Sequence, residues 1–319
     1  MGNKTLVSVV IPVCNERQTL EPLHRRVREV LAANELAGEI IFVDDGSDDG
    51  SWEVITALTR RDKRTAAISF RRNFGKAAAL TAGFARARGG IVVTMDGDLQ
   101  DDPEEIPRFV AKLEEGFDLV SGWKQSRRDP LSKTVPSKLF NRVTALTSGV
   151  PLHDFNCGFK AYRAAVLREV SIYGELHRYI PVLAHHRGFR IAEIAVRHHP
   201  RVAGRSKYGW GRLVKGYLDL LTVVFLTRYA RRPGHFFGTV GSFAFGTGLL
   251  INGYMTLVKY VGHQAIGQRP LLLLGTLLMI LGIQFVSIGL LGEMIAARTR
   301  TEHDYSIAAS AEGSGDGEH

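Results

Sequence analysis

The chain has 319 residues, 45% of them hydrophobic, with 41 Lys and Arg against 32 Asp and Glu for a formal net charge of +9. That excludes a disordered polymer and a disulfide-stapled miniprotein, and it leaves room for one large domain with a substantial core. Only Cys14 and Cys157 are present, with no zinc-ligand spacing, which fits a reducing compartment.

Residues 1–12 carry too short an apolar stretch for a secretory leader, so the amino-terminal domain is expected to stay in the cytoplasm. Leu6 to Val13 reads as a first buried strand, stopping at Cys14-Asn15-Glu16. Leu20, Leu23, Val27, Val30 and Leu31 then form one helical stripe, with Thr19 as N-cap and Gly38 as the helix end. Glu39 to Val43 is a second strand that ends in Asp44-Asp45-Gly46-Ser47, and a helix over 51–61 turns Trp52, Ile55 and Leu58 inward. This is a βαβ unit. A third strand, Thr65 to Phe70, runs into Arg71-Arg72-Asn73-Phe74-Gly75-Lys76 and an Ala-rich helix. Backbone N–H groups and fixed cations there promise an anion site.

Ile91-Val92-Val93-Thr94-Met95-Asp96-Gly97-Asp98 is a buried parallel strand whose carboxyl end opens into two carboxylates. Carboxylate oxygens suit Mg²⁺ or Mn²⁺, and Gly97 is expected to let the backbone turn so that both face one cation. A solvated Asp-Gly turn is the alternative. Three of the first four strands thus end in acids or amides on one edge of a mainly parallel sheet, where open α/β sheets bind ligands. Pro103 opens a helix with Glu104 and Glu105 in its first turn, and Phe117 to Trp123 is a fifth strand.

Beyond Trp123 the chain is basic and polar, with Lys124, Arg127, Lys133, Ser137, Lys138 and Arg142 in a loop and a helix from about Pro136. Asp154 reads equally as a turn aspartate or as a carboxylate aimed into the site. Arg190 to His198 is another strand. The neighbouring pairs His185-His186 and His198-His199 read as surface residues rather than metal ligands.

Arg197, Arg201, Arg205, Lys207, Arg212, Lys215, Arg228, Arg231 and Arg232 face a single acid, Asp219, directly before the hydrophobic region. A cationic belt in that place favours a membrane surface and lipid phosphate, and no nucleic-acid partner is expected. Leu213 to Tyr229 reads as an interfacial amphipathic helix. Phe236 to Val258 and Leu271 to Gly292 contain no charged residue, and each is long enough to cross a bilayer. The short link makes them an antiparallel hairpin, and the cations outside it put both ends in the cytoplasm. Glycines along both spans allow close packing within the hairpin or in a homo-oligomer.

The expected organisation is a cytoplasmic domain over 1–210, juxtamembrane helices over 211–233, a transmembrane hairpin over 234–297 and a disordered tail over 298–319. The protein is placed as multi-pass in the inner membrane.

Pro12-Val13-Cys14-Asn15-Glu16, Val43-Asp44-Asp45-Gly46-Ser47, Arg72-Asn73-Phe74-Gly75-Lys76, Asp96-Gly97-Asp98-Leu99-Gln100, Asn156-Cys157-Gly158-Phe159 and Gly204-Arg205-Ser206-Lys207-Tyr208, in this order before two spans, resemble the polyprenyl-phosphate transferases of glycosyltransferase family 2. That group includes dolichyl-phosphate mannose synthase and the bactoprenol glucosyltransferases. The resemblance implies an α/β GT-A fold, Rossmann-like with a mainly parallel sheet. It also implies inverting transfer of one sugar from a UDP-linked nucleotide sugar to a polyprenyl phosphate, undecaprenyl or dolichyl.

The resemblance assigns Pro12, Cys14, Glu16, Asp44, Asp45, Gly75, Lys76 and Asp96 to the nucleotide sugar, and Asp96, Asp98 and Gln100 to Mg²⁺ or Mn²⁺ and the diphosphate. Asp98 and Asp154 take the catalytic roles. Lys124, Arg127, Lys133, Ser137, Arg201, Arg205 and Lys207 go to the lipid phosphate. Cys14 stands where many members have tyrosine, and Lys124 and Lys133 where some have arginine, which removes bidentate phosphate contact. Three alternatives remain: GDP-mannose transfer, a processive polysaccharide synthase, and a non-catalytic nucleotide-sugar-binding scaffold. The second normally carries a Gln-x-x-Arg-Trp motif and more spans, neither present here. Intact Asp96, Asp98 and Asp154 weigh against the third.

Overall fold

The computed structural model describes residues 5–125, 141–146, 148–170, 176–200, 225, 229, 233–263, 265 and 269–299. The chain divides into two compact units, residues 1–223 and 224–319, each described by itself.

The first unit is built on a seven-stranded sheet: β1 (Val7–Val13), β2 (Gly38–Asp44), β3 (Thr65–Ser69), β4 (Ile91–Thr94), β5 (Leu119–Trp123), β6 (Lys160–Arg163) and β7 (Ile191–Ala195). Their order is β3-β2-β1-β4-β6-β5-β7. Strands β1 to β4 pair in parallel, as do β5 and β7, while β6 runs antiparallel to both of its neighbours. Helices α1 (Arg17–Ala33), α2 (Ser51–Arg61) and α4 (Ile106–Glu114) cover one face. Leu20, Leu23, Val27, Ile55 and Phe109 pack there against Val9, Ile11, Phe42 and Val93. The other face carries α3 (Lys76–Arg86), α5 (Ala164–Glu169) and α6 (Ile180–His186). There Leu80 meets Val10, Ile41 and Val92, and Ile180 meets Tyr162 and Val166. Burial on both faces is why these strands read as continuous apolar runs.

Boundaries differ from the expected ones for local reasons. Helix α1 starts at Arg17, because the Thr19 hydroxyl donates to the Glu16 carbonyl at 2.8 Å and to the Gly97 carbonyl at 2.6 Å instead of capping the helix. Gly38 opens β2 rather than closing α1. A Cβ there would lie 2.8 Å from Leu31 Cδ1, so glycine lets helix and strand close together. Strand β7 ends at Ala195, and beyond it a single bridge joins His198 to Asp101.

The second unit contains α7 (Pro233–Tyr260) and α8 (Pro270–Thr299), packed against each other. Pro233–Tyr260 and Pro270–Ala296 are long and apolar enough to cross a membrane, and the two expected spans lie within them. Cβ atoms at Gly241 and Gly248 would lie 2.6 and 2.5 Å from the carbonyls of Gly282 and Gly275, so the backbones touch. The Gly234 amide at the start of α7 donates to Glu293 Oε2 at 3.1 Å. The amphipathic segment expected over 213–229 lies outside the described residues except for Phe225 and Tyr229, whose rings rest against Phe236.

Candidate active site

Strand β4 delivers Asp96, Gly97 and Asp98 to the carboxyl edge of the sheet beside the ends of β1 and β2. The special backbone of this turn falls at Leu99, not at Gly97. Gly97 has an ordinary φ, and a Cβ there would meet only van der Waals contacts from 3.5 Å outward. Leu99 has φ 61°, a left-handed conformation that costs a branched residue about 1–2 kcal/mol. Packing of Leu99 against the core and the Gln100 N–H donating to Asp98 Oδ1 at 3.2 Å hold it there.

The Asp96 carboxylate forms an ion pair with the Lys76 ammonium at the start of α3. Burial alone would raise the pKa of Asp96, but the charges of Lys76 and Lys124 outweigh it and hold the carboxyl well below the usual range. Below it lies a second acid layer that the sequence reading passed over. Asp101 is fully buried, accepts the Asp96 N–H at 3.2 Å, and pairs with Lys124 at 3.0 Å. Burial works against the Lys124 ammonium, and the Asp101 carboxylate more than restores it, keeping it protonated. Asp102 accepts from Arg26 at 2.9 Å and lies 3.0 Å from His199 Nε2. The signal was the acid run itself, which continues past Gln100 into Asp101-Asp102.

His185, His186 and His199 keep the surface positions expected of them, His199 reaching Asp102 at 3.0 Å with its side chain 43% exposed, while His198 is more covered, at 4.0 Å from Asp101. Arg197 does not join a free basic belt, since its guanidinium pairs with Glu105 at 3.0 Å and Glu104 at 3.3 Å.

At the neighbouring strand ends, both oxygens of the Asp45 carboxylate are taken, by the amides of Phe74 at 2.7 Å and Gly75 at 3.0 Å. The anion filling the expected amide site is therefore the protein's own, and it fixes the loop that presents Lys76. Asp44 is buried and accepts from Ser47 N–H at 3.2 Å and from the Ser69 hydroxyl at 3.0 Å. Pro12 and Cys14 are half-buried at the end of β1, with the Asn73 amide 3.3 Å from Cys14 Sγ, and Glu16 sits at the N-cap position of α1.

Asp154 is buried, and its Oδ1 accepts the Asn156 N–H at 3.1 Å, the geometry of a turn aspartate. That turn carries Gly158, whose added Cβ would stand 2.9 Å from both Asp96 carboxylate oxygens and from Lys76 Nζ. The glycine leaves room for the ion pair. Arg127, Lys133, Ser137, Arg201, Arg205 and Lys207 lie outside the described residues.

Among the described residues no group of three or more His, Cys, Asp or Glu side chains is arranged to hold a metal by itself. A hard cation taking one or two carboxylates and completing its shell with substrate phosphates and water does not need one. Asp96 and Asp98, one residue apart on a fixed turn, fit that donor set, with Lys76 as the present counterion of Asp96, whereas the Gln100 side-chain amide donates to the His199 carbonyl at 3.4 Å.

Comparison with known proteins agrees with this geometry. The family model described as "Glycosyl transferase family 2" matches residues 8–171. The dodecaprenyl-phosphate galacturonate synthase of Rhizobium johnstonii is 41% identical over 305 residues, covering 94% of this chain and 90% of that protein. The undecaprenyl-phosphate 4-deoxy-4-formamido-L-arabinose transferase of Klebsiella pneumoniae is 38% identical, covering 91% of this chain and 88% of that protein. Among solved structures, glucosyl-3-phosphoglycerate synthase from Mycobacterium tuberculosis, in complex with Mn²⁺, UDP and phosphoglyceric acid, superposes with a TM-score of 0.54 at 22% identity, covering 70% of this chain and 78% of that one. That likeness establishes the fold as GT-A. With the family's pattern across most of the first unit and relatives matched through both helices of the second, this chain belongs to glycosyl transferase family 2.

Proposed function

We propose that this enzyme transfers a single sugar from a UDP-linked nucleotide sugar to a polyprenyl phosphate at the cytoplasmic face of the inner membrane, with inversion at the anomeric carbon. The observation that carries the reading is the extent of the likeness. It runs over 94% of the chain, through the acidic strand ends and the helix pair alike, to a relative named for a dodecaprenyl-phosphate product. The cations at 228, 231, 232, 298 and 300, against two in the link, support a hairpin whose ends both face the cytoplasm.

In this reading Asp96, Asp98 and Gln100 would hold Mg²⁺ or Mn²⁺, which would supply Lewis-acid stabilisation of the leaving diphosphate. Lys76 adds a cation beside the leaving diphosphate, and Asp45 positions it through the Phe74 and Gly75 amides. Pro12, Cys14 and Glu16 line the edge assigned to the nucleotide sugar, and Asp44, buried behind it, supports that edge through Ser47 and Ser69 instead of meeting the ligand. The acceptor phosphate monoester has a second pKa of about 6 to 7 and arrives largely ionised, so no strong base is needed. Asp154 then acts as an orienting group for the 154–158 turn. Arg127, Lys133, Ser137, Arg201, Arg205 and Lys207 hold the acceptor dianion in line with the sugar carbon.

The test is to incubate membranes containing the protein with polyprenyl phosphate, Mg²⁺ or Mn²⁺ and labelled donors, then extract the lipid. UDP-hexoses, UDP-uronates, GDP-mannose and an aminoarabinose donor form the panel. Label in the lipid with one donor supports the reading; no label with any donor removes it. Arg201→Ala is expected to raise the KM for lipid phosphate more than that for the donor.

A further inference from the structure

Arg127, Lys133 and Ser137, assigned to the acceptor phosphate, fall in sequence between Trp123 and Asn141, and one residue touches both of these flanks. It is His153. The Trp123 ring, at the end of β5, stacks on the His153 imidazole with centroids 4.2 Å apart and planes 14° from parallel. On the other flank the buried Asn141 side-chain amide donates to the His153 carbonyl at 2.9 Å. His153 also opens the turn that carries Asp154 and runs on to Gly158 beside the Lys76–Asp96 pair.

Glu193 on β7 fixes the imidazole. With its side chain only 10% exposed, its oxygens accept the His153 N–H at 2.9 Å and the Asp154 N–H at 3.1 Å, and one of them lies 2.7 Å from His153 Nδ1. An ionised carboxylate only accepts, so Nδ1 carries a hydrogen and the tautomer is set. Nε2 is then the bare nitrogen of the neutral ring. It has no partner among the described residues, on a side chain 64% exposed. Among those residues the charged group in contact with the ring is Glu193, since Trp123 and Asn141 are neutral. A carboxylate holding Nδ1 while Nε2 stays open is the arrangement by which an orienting acid prepares an imidazole to take a proton.

We propose that His153 is a catalytic residue that receives the last proton of the acceptor phosphate monoester at Nε2, with Glu193 as its positioning residue. The inference rests on the transferase reading above. A phosphate monoester loses its second proton in the range where an imidazole changes charge, so transfer between the two is nearly balanced. In the step the O–H bond of the monoanion breaks and an N–H bond forms at Nε2. The phosphate becomes the dianion, and the ring becomes an imidazolium held between Glu193 and that dianion. Once the dianion oxygen has attacked the anomeric carbon and the nucleoside diphosphate has left, the imidazolium returns its proton to water. Phosphodiester headgroups carry no such proton, so the same chemistry separates the acceptor from the surrounding lipid.

The experiment uses the full-length protein in phosphatidylcholine nanodiscs with polyprenyl phosphate, Mg²⁺ and whichever donor labels the lipid. It follows kcat/KM for the lipid phosphate between pH 5.5 and pH 8. At the acid end only about a tenth of the acceptor is already dianionic, so His153→Gln is expected to fall about tenfold below wild type there and to stay within about twofold at pH 8. The KM for the donor should not change. Glu193→Gln is expected to lose about threefold at pH 5.5 alone, and to add nothing in the His153→Gln background. A deficit of equal size at both pH values, or none, overturns the inference and leaves the transferase standing. So does a deficit that appears only when phosphatidylglycerol replaces phosphatidylcholine, which would make His153 a headgroup contact. No transfer by the wild type from any donor removes both.

Discussion

Gly158→Ala isolates the geometry of the acidic turn without touching a charged group. Gly158 has no left-handed backbone requirement, so alanine brings only its Cβ, 2.9 Å from each Asp96 oxygen and from Lys76 Nζ. That is roughly half an ångström inside an ordinary contact. The neighbours are side-chain ends rather than backbone, so the fold can yield, and the melting temperature is expected to fall by no more than about 3 °C. The cost appears in the reaction. Since a 1 Å misplacement at a reacting centre can cost about a hundredfold, a shift of about half that should lower kcat/KM roughly tenfold, or about 1.4 kcal/mol in the barrier. Lipid-extraction kinetics on the purified full-length protein, with a thermal melt of the same sample, measure both. An alanine variant with wild-type kcat/KM would show that the Lys76–Asp96 pair can move freely during turnover, and the positional role given to Gly158 would be wrong.

Asp98→Ala is expected to reduce transfer below about a thousandth, because the leaving diphosphate loses a metal ligand; substantial residual turnover would remove Asp98 from that role. Lys76→Met frees the Asp96 carboxylate from a half-exposed pair and should tighten Mn²⁺ binding without nucleotide roughly two- to fivefold, read as free Mn²⁺ by electron paramagnetic resonance. Lys124→Met leaves Asp101 buried without its cation and should cost about 3 kcal/mol of stability, most of it recovered in the Asp101→Asn, Lys124→Met double variant; a change confined to the KM for lipid phosphate would instead make Lys124 an acceptor contact. His177 has a folded pKa of about 2 against 6.5 for the ordinary group, so its contribution is complete above pH 6.5 and is lost as the pH falls toward 2. At pH 5 the loss is about 2 kcal/mol. Melts at pH 7 and pH 5 should differ less in His177→Asn, and an equal difference would refute the assignment. The depressed carboxyls of Asp96 and Asp102 add their losses only below about pH 4.

The first four strands and the acidic ends of three of them were legible because each is a local pattern: an apolar run, a stop, then carboxylates or amides. The spans were legible for the same reason, since twenty uncharged residues need no partner to be recognised. What could not be read were relations between distant positions. Nothing local to Lys160–Arg163 says that this strand runs antiparallel between β4 and β5. The burial of Lys124 depends on Asp101, and the reason for Gly158 is a pair of side chains on two other elements. Likewise the left-handed residue of the turn is Leu99 because core packing outweighs the preference for glycine, a tertiary override that periodicity cannot register.

The helix pair has a mechanical consequence. Its glycine-to-carbonyl contacts, Gly241 on Gly282 and Gly248 on Gly275, recur two turns apart on each helix, and the Glu293 tie to Gly234 closes one end. Sliding either helix by one residue would bring a side chain into a slot that admits only hydrogen. The two helices therefore form a strut of fixed length. Where a bilayer is thinner or thicker than the strut, the pair must lean as one piece or deform the lipid around it.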